Sequence, residues 1–114
     1  MDRLIPEGAM LTVLFSGLPE EIPRETKGVI WDIASFAISH LGYRAAFTKG
    51  DKLANQLMVA DALVVFPGIA EDEKAVKSAK ARGLPVIPIN TLTFEQATLV
   101  LSRELLEIEK KKNP

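Results

Sequence analysis

Two short turns carry the small residues of this chain that are best suited to hold a ligand. Ser16 and Gly17 follow one apolar run, and Pro67 and Gly68 follow another. A hydroxyl group and backbone N–H groups at the end of a strand can bind a sugar or a phosphate. Ser16 and Gly17 also fit a plain turn with no ligand. All four residues are therefore ligand-binding candidates with a structural alternative.

An acidic cluster follows the second turn, at Glu71, Asp72 and Glu73. A carboxylate beside a bound sugar can act as nucleophile or general base at the glycosidic carbon. Carboxylates at the start of a helix also complement the helix dipole without any catalytic role. Both interpretations stand, and we include Glu71 among the ligand-binding candidates. The cluster argues against a phosphate at this helix start, because like charges repel.

Asn90 follows a later apolar run and is a candidate for the rim of the same site. As an alternative, Asn90 and Thr91 form a loop that leads into the cap of the last helix. His40 falls near the predicted end of the first helix, where a surface or interface histidine is the simpler interpretation.

Composition excludes several classes of function. The chain has 114 residues, a formal net charge of −1, one histidine and no cysteine. A disulfide framework, a thiolate metal site and a cysteine nucleophile are therefore excluded, and we expect no metal and no cofactor. The near-neutral charge gives no reason to expect nucleic acid or an acidic membrane as a partner. The first ten residues lack the apolar region of a signal peptide, so we expect a cytoplasmic protein.

Hydrophobic patterning predicts alternating strands and helices in a single domain. Residues 1–9 are expected to be an irregular lead-in and residues 110–114 a frayed tail. The predicted strands are Met10–Ser16, Arg44–Thr48, Ala62–Phe66 and Val86–Ile89. The predicted helices are Arg24–Leu41, Lys52–Val59, Glu71–Arg82 and a last helix that begins after Thr93.

This alternation predicts a parallel four-stranded sheet with helices on both faces, a three-layer α/β architecture. Strand order 2-1-3-4 buries the two most apolar strands and leaves the strand of Pro88 at an edge, where a missing N–H is tolerated. The topological switch then lies between strands 1 and 3, and ligands bind outside the carboxyl ends of strands at such a point. The turns after Phe15 and after Phe66 should meet there.

Local signals predict how the helices begin and end. We expect Gly42 to end the first helix in the left-handed conformation, and Gly83 to end the third with a Schellman motif completed by Leu84. Asp51 is the expected cap of the second helix. Thr93 and Gln96 fit a capping box at the start of the last helix.

The first helix is apolar around most of its circumference. Its polar positions form one narrow stripe of Gly28, Asp32, Ser35 and Ser39. A surface helix of a small domain should be polar on about half of its face. We therefore expect the Arg24–Leu41 helix to mediate a homo-oligomer, with burial inside the domain as the alternative.

The segment from Leu57 to Ile89 resembles two related Rossmann-like groups. These are the nucleoside 2-deoxyribosyltransferase-like family and the lysine-decarboxylase-like group of phosphoribohydrolases. The resemblance rests on an Ala-Asp strand start, a Gly-containing turn, a helix-opening Glu and a Pro-Val-Ile strand. In this chain they are Ala60-Asp61-Ala62-Leu63-Val64-Val65, Pro67-Gly68, Glu73 and Leu84-Pro85-Val86-Ile87.

The resemblance implies a Rossmann-like fold with the flavodoxin-like strand order, a nucleoside or nucleotide ligand and chemistry at an N-glycosidic bond. By position it implies that Glu73 is the catalytic carboxylate. The Gly-Gly-x-Gly-Thr phosphate loop of the phosphoribohydrolases is replaced here by Pro67-Gly68-Ile69-Ala70-Glu71. Two hypotheses follow: a nucleoside- or nucleotide-binding protein that cleaves or transfers at the glycosidic bond, and a non-catalytic binding or assembly module of the same fold.

Overall fold

The computed structural model describes residues 11–91 and 93–112, and the predicted lead-in of residues 1–9 lies outside this range. Strands and helices alternate along the chain. The strands are β1 (Thr12–Phe15), β2 (Arg44–Phe47), β3 (Ala62–Val65) and β4 (Val86–Pro88). The helices are α1 (Arg24–Ser39), α2 (Leu53–Val59), α3 (Glu73–Ala81) and α4 (Phe94–Lys112).

The four strands form one parallel sheet in the order β2-β1-β3-β4. Both the parallel pairing and the order agree with the sequence prediction. The two central strands are the most buried, and Pro88 closes the edge strand β4. The chain therefore has the three-layer α/β architecture of a Rossmann-like fold.

Two hydrophobic clusters cover the two faces of the sheet. α1 and α4 pack on one face, where Ile30, Ile33, Leu101 and Leu105 are fully buried. α2 and α3 pack on the other face through Leu53, Leu57, Ala75 and Ala79. The small alanines of α3 allow its backbone to approach the sheet closely.

The predicted helix ends are confirmed at two glycines. Gly42 has φ +74° and Gly83 has φ +73°, the left-handed conformation that glycine adopts without steric cost. The N–H of Leu84 donates to the carbonyl of Ala79 at 2.9 Å, and that of Gly83 donates to Lys80 at 3.1 Å. These two bonds form the Schellman motif.

Two predicted helix caps differ from the structure, although α4 begins directly after Thr93 as predicted. Asp51 lies inside a 3₁₀ turn, Gly50–Lys52, and Lys52 takes the cap position of α2 without a side-chain hydrogen bond. The capping box is also not formed as predicted, because the hydroxyl of Thr91 accepts the Thr93 N–H. A short polar side chain two residues earlier competes successfully for the same donor.

The C-terminal helix extends further than the sequence suggested. α4 continues through Lys112, three residues into the predicted tail, and residues 113–114 lie outside the described range. Lys112 bonds the carboxylate of Asp61 at 3.2 Å. None of the described helices is both long and apolar enough to cross a membrane.

Candidate functional site

The carboxyl end of β1 meets the start of α3 through Ser16. Its N–H continues the sheet by donating to the carbonyl of Val64 at 2.8 Å. Its hydroxyl oxygen accepts the backbone N–H of Asp72, also at 2.8 Å, and the side chain is fully buried. Ser16 thus ties the turn after β3 to the end of β1.

Gly17 is held against the end of β2 by Thr48. The Gly17 N–H donates to the Thr48 hydroxyl oxygen at 2.8 Å. A Cβ at position 17 would lie 2.8 Å from the Thr48 carbonyl oxygen, closer than real contacts allow. Glycine is therefore required here by the close approach of two strand ends.

Asp72 completes this arrangement and caps α3. Its Oδ1 accepts the Ala75 N–H at 3.2 Å, and its Oδ2 accepts the hydroxyl of Thr48 at 3.2 Å. Ser16, Gly17, Thr48 and Asp72 form one hydrogen-bonded group, which we call the switch-point group. It joins the ends of β1 and β2 to the start of α3.

The turn after β3 has the residues and geometry of a type II turn. Pro67 and Gly68 occupy its centre, Gly68 has φ +78°, and the Ile69 N–H donates to the Phe66 carbonyl at 2.9 Å. The Gly68 N–H donates to Oε2 of Glu71 at 2.9 Å. The carboxylate of Glu71 is thereby fixed beside the turn, although the residue is exposed.

The side chains of Glu73 and Asn90 take no part in the hydrogen bonds of the switch-point group. Glu73 is the first residue of α3, is exposed and has no hydrogen-bond partner among the described residues. Asn90 is exposed after β4, which is separated from β1 by β3. The carboxylate of the acidic cluster that reaches the end of β2 is Asp72.

A cavity of about 310 Å³ lies between the two turns of the switch point. It is bounded on one side by the loop after β1 and the first turn of α1, and on the other by the turn after β3. Its described lining consists of Pro19, Glu21, Ile22, Pro23, Thr26, Gly68 and Ile69. The sequence predicted a site at the carboxyl ends of the strands, but it did not indicate that the loop of residues 19–23 would line it.

The start of α1 gives this cavity hydrogen-bond donors. Pro23 holds the cap position, and no side chain of the described chain caps the helix. The first N–H with a helical partner is that of Lys27, which donates to the Pro23 carbonyl at 3.0 Å. The N–H groups of residues 24–26 therefore stay available at the end of the helix where Thr26 lines the cavity.

Acidic side chains outnumber the two basic ones, Arg24 and Lys27, near the cavity. Glu21 lines it, and Glu20 and Glu25 are exposed next to it in sequence. Glu71 lies at the opposite rim beside Gly68. Carboxylates accept hydrogen bonds from hydroxyl and amino groups and repel phosphates. The carboxylates around the cavity therefore suit a neutral ligand with several hydroxyl groups better than a highly phosphorylated one.

A second groove of about 290 Å³ lies between α1 and α4, away from the strand ends. Asp32, Ser35 and Ser39 of the polar stripe line it with His40. The His40 ring stacks on Phe36 with centroids 4.8 Å apart, and Phe36 contacts Phe94 edge to face at 6.0 Å. The His40 ring therefore packs on an aromatic side chain at the exposed end of α1, in agreement with the simpler interpretation of a surface histidine.

Sequence reasoning missed two members of the switch-point group. Thr48 follows β2, so its position at a carboxyl strand end was a usable signal. Asp72 was considered only together with its two acidic neighbours. In the described part of the chain, no three or more His, Asp or Glu residues are grouped so as to hold a metal ion.

Comparison of the chain with protein-family models and with curated proteins gives no match.

Proposed function

We propose that this protein binds a nucleoside or a nucleotide in the cavity between the β1–α1 loop and the turn after β3. The observation that carries the proposal is the position of this cavity at the topological switch of a parallel sheet, where α/β proteins of this architecture bind ligands. Its volume of about 310 Å³ is near the lower end of the range for ligand sites, which matches a small ligand.

The lining of the cavity supports a nucleoside in preference to a di- or triphosphate. The rings of Pro19 and Pro23 and the side chains of Ile22 and Ile69 offer apolar surface to a base. Glu21 can accept hydrogen bonds from the sugar hydroxyls, and the free N–H groups at the start of α1 can donate to them. The acidic rim disfavours added phosphate charge.

Cleavage of the glycosidic bond is the catalytic form of this proposal. In that reaction water replaces the base at C1′, and the base leaves with a proton. A carboxylate must attack or stabilise the anomeric carbon. Glu73 has this role by the resemblance described above. It is exposed at the start of α3 and is not among the described lining residues of the cavity, so its carboxylate must reach the ligand from outside that lining. The alternative is a protein of the same fold that binds its ligand without turnover.

The test is a panel of nucleosides, deoxynucleosides and their monophosphates. Binding of one class should raise the melting temperature, because a ligand selective for the folded state stabilises it by mass action. Base release that Glu73→Gln abolishes supports catalysis, and a melting shift without base release supports binding alone. No shift with any compound of the panel contradicts the proposal.

Two arginine variants locate the site. Thr26→Arg places a long side chain in the cavity and should abolish the melting shift. Gly28→Arg adds the same side chain on the same helix, where a Cβ has no neighbour within 4 Å, and should keep the shift. Equal shifts in both variants would place the ligand elsewhere.

The second candidate is association of the chain with itself through α1. Trp31 is 60% exposed and Ile38 is 52% exposed, which is unusual for large apolar side chains on one helix. Burial of these side chains in a second subunit explains why α1 is apolar beyond the face that packs on the sheet. A cytoplasmic location stays a prediction, which the absence of cysteine supports.

A further inference from the structure

We propose that two copies of this chain form a symmetric dimer by antiparallel pairing of their β2 edge strands around Ala45. This inference rests on the proposed association through α1 and adds the strand, the register and the symmetry of the contact. The strand β2 borders the sheet on the side opposite β4.

The two sheet edges differ in how they are protected. β4 ends in Pro88, which has no N–H to offer to another strand. β2 reads Arg44-Ala45-Ala46-Phe47, without proline, glycine or an inward-pointing charge. Arg44 and the side chain of Gln56 protect the two ends of this short edge, and the unpaired backbone groups around Ala45 are a template for further pairing.

The hydrogen-bond pattern shows which groups of β2 face outward. The Arg44 N–H donates to the carbonyl of Leu11, just before β1, at 2.9 Å, and the Thr48 N–H donates to the carbonyl of Phe15 at 2.8 Å. Backbone groups alternate in direction along a strand, so the N–H and the carbonyl of Ala45 point to the open edge. Neither group has a partner among the described residues.

A second copy satisfies these groups in an antiparallel pair centred on Ala45. The N–H of each Ala45 donates to the carbonyl of Ala45 in the second copy, and each Phe47 N–H faces the carbonyl of Tyr43 across the twofold axis. The Phe47 carbonyl already accepts from the side-chain amide of Gln56 at 2.9 Å, which ends the ladder there. The pairing is isologous, as a twofold dimer requires.

A groove of about 230 Å³ between α1 and β2 lies next to the open edge of β2. Trp31, Ser35 and Ile38 line it from α1, at positions that share one helix face. Ala45, Ala46 and Phe47 line it from β2, and no described lining residue is ionisable. Twofold pairing of β2 brings the α1 helices of both copies to the same side of the joined sheet.

Charge and area determine how strongly a second copy should bind. In the proposed register Arg44 lies opposite Ala46 of the second copy, so no two like charges face each other directly. A Trp side chain buries roughly 150–250 Å² when fully covered, so the exposed part of Trp31 contributes on the order of 100 Å² per subunit. With Ile38 and the strand edge, the contact is smaller than a standard stable interface, so the dimer should dissociate on dilution.

Light scattering over a concentration series tests the proposal on the full chain. The wild type should double its mass as its concentration rises into the range of about 100 μM, as expected for a small interface. Ile38→Lys should remain monomeric. Leu106→Lys is the matched control, because Leu106 of α4 is 48% exposed and lies outside the groove, and it should dimerise like the wild type.

Ala45→Pro tests the strand pairing separately. Proline removes the outward N–H of Ala45 and leaves the bonds of β2 to β1 in place, so the variant should fold and be monomeric. A dimeric Ala45→Pro beside a monomeric Ile38→Lys overturns the strand pairing and leaves association through α1 standing. A wild type that stays monomeric at all concentrations overturns both, and the nucleoside proposal is independent of either result.

Discussion

The backbone N–H of Asp72 donates to the hydroxyl oxygen of Ser16 at 2.8 Å, across 56 residues of sequence. This bond joins the end of a central strand to the start of α3. Ser16 is fully buried, so its hydroxyl oxygen is committed to the fold and does not face solvent. Ser16, a ligand-binding candidate by its sequence position, is therefore a residue that holds the start of α3 against the end of β1.

Replacing Ser16 by alanine should destabilise the protein by about 1–3 kcal/mol, because the Asp72 N–H loses its acceptor in a partly buried position. Urea unfolding measures the change. Ser35→Ala is the control, since Ser35 is exposed on α1, and its effect should stay within about 0.5 kcal/mol. Equal stabilities of the two variants would contradict the structural role of Ser16.

The carboxylate of Asp72 should matter more for stability than that of Glu73. Asp72→Ala removes the cap of α3 and leaves the Thr48 hydroxyl without its acceptor, at a cost of about 1–2 kcal/mol. Asp72→Asn keeps an oxygen for the Ala75 N–H and should lose less. Glu73→Gln removes a charge at an exposed helix start, worth only about 0.3–1 kcal/mol.

These variants also separate the fold from the proposed chemistry. If Glu73→Gln abolishes base release while its unfolding curve matches the wild type, the loss is catalytic. If Glu73→Gln is as unstable as Asp72→Ala, the assignment of Asp72 as the capping carboxylate is wrong.

The candidate site was predictable from the sequence only at the level of its location. A parallel sheet with a topological switch between β1 and β3 places the turns of Ser16 and Gly68 at the carboxyl ends of these strands, and the structure confirms that strand order. Which residues bond to each other at these strand ends depends on contacts between segments that are distant in sequence. The bond from Gly17 to Thr48 spans 31 residues, and nothing in local sequence pattern specifies it.

Gly17→Ala should cost about 1–3 kcal/mol, because the new Cβ meets the backbone oxygen of Thr48 at 2.8 Å and the strand ends must move apart. Thermal unfolding reports the loss. Gly50→Ala is the matched control, since no atom lies within 4 Å of a Cβ there. It should be neutral or slightly stabilising, because alanine restricts the unfolded chain. Similar melting temperatures for the two variants would refute the close approach at Gly17.

The fold was more predictable than the candidate site, because the apolar runs of strands and the glycines that end helices are local features of the sequence. Apolar runs gave the four strands, and Gly42 and Gly83 gave two helix ends. The two wrongly predicted caps, at Asp51 and Thr93, share one cause. A competing 3₁₀ turn or a neighbouring hydroxyl satisfied the same backbone groups, and sequence alone does not rank such local competitors.

Tyr43 should make the protein sensitive to alkaline pH. Burial raises the pKa of Tyr43 well above its ordinary value, and the hydrogen bond to Glu109 and the negative charge of that carboxylate raise it further. The folded state therefore favours the neutral phenol. This contribution is fully present below the unfolded pKa of about 10 and is lost as the pH rises from there through the raised folded pKa.

The chain has a single tyrosine, so tyrosinate absorbance reports this group directly. The folded protein should begin to titrate only well above pH 10, and the urea-unfolded protein near pH 10, as for a free tyrosine. The stability advantage of the wild type over Tyr43→Phe should be constant from neutral pH to about pH 9 and should shrink above about pH 10. Glu109→Gln should lower the folded pKa only in part, because burial, the largest cause, remains. Titration of the folded wild type at the same pH as the unfolded chain would show that Tyr43 is not buried against Glu109.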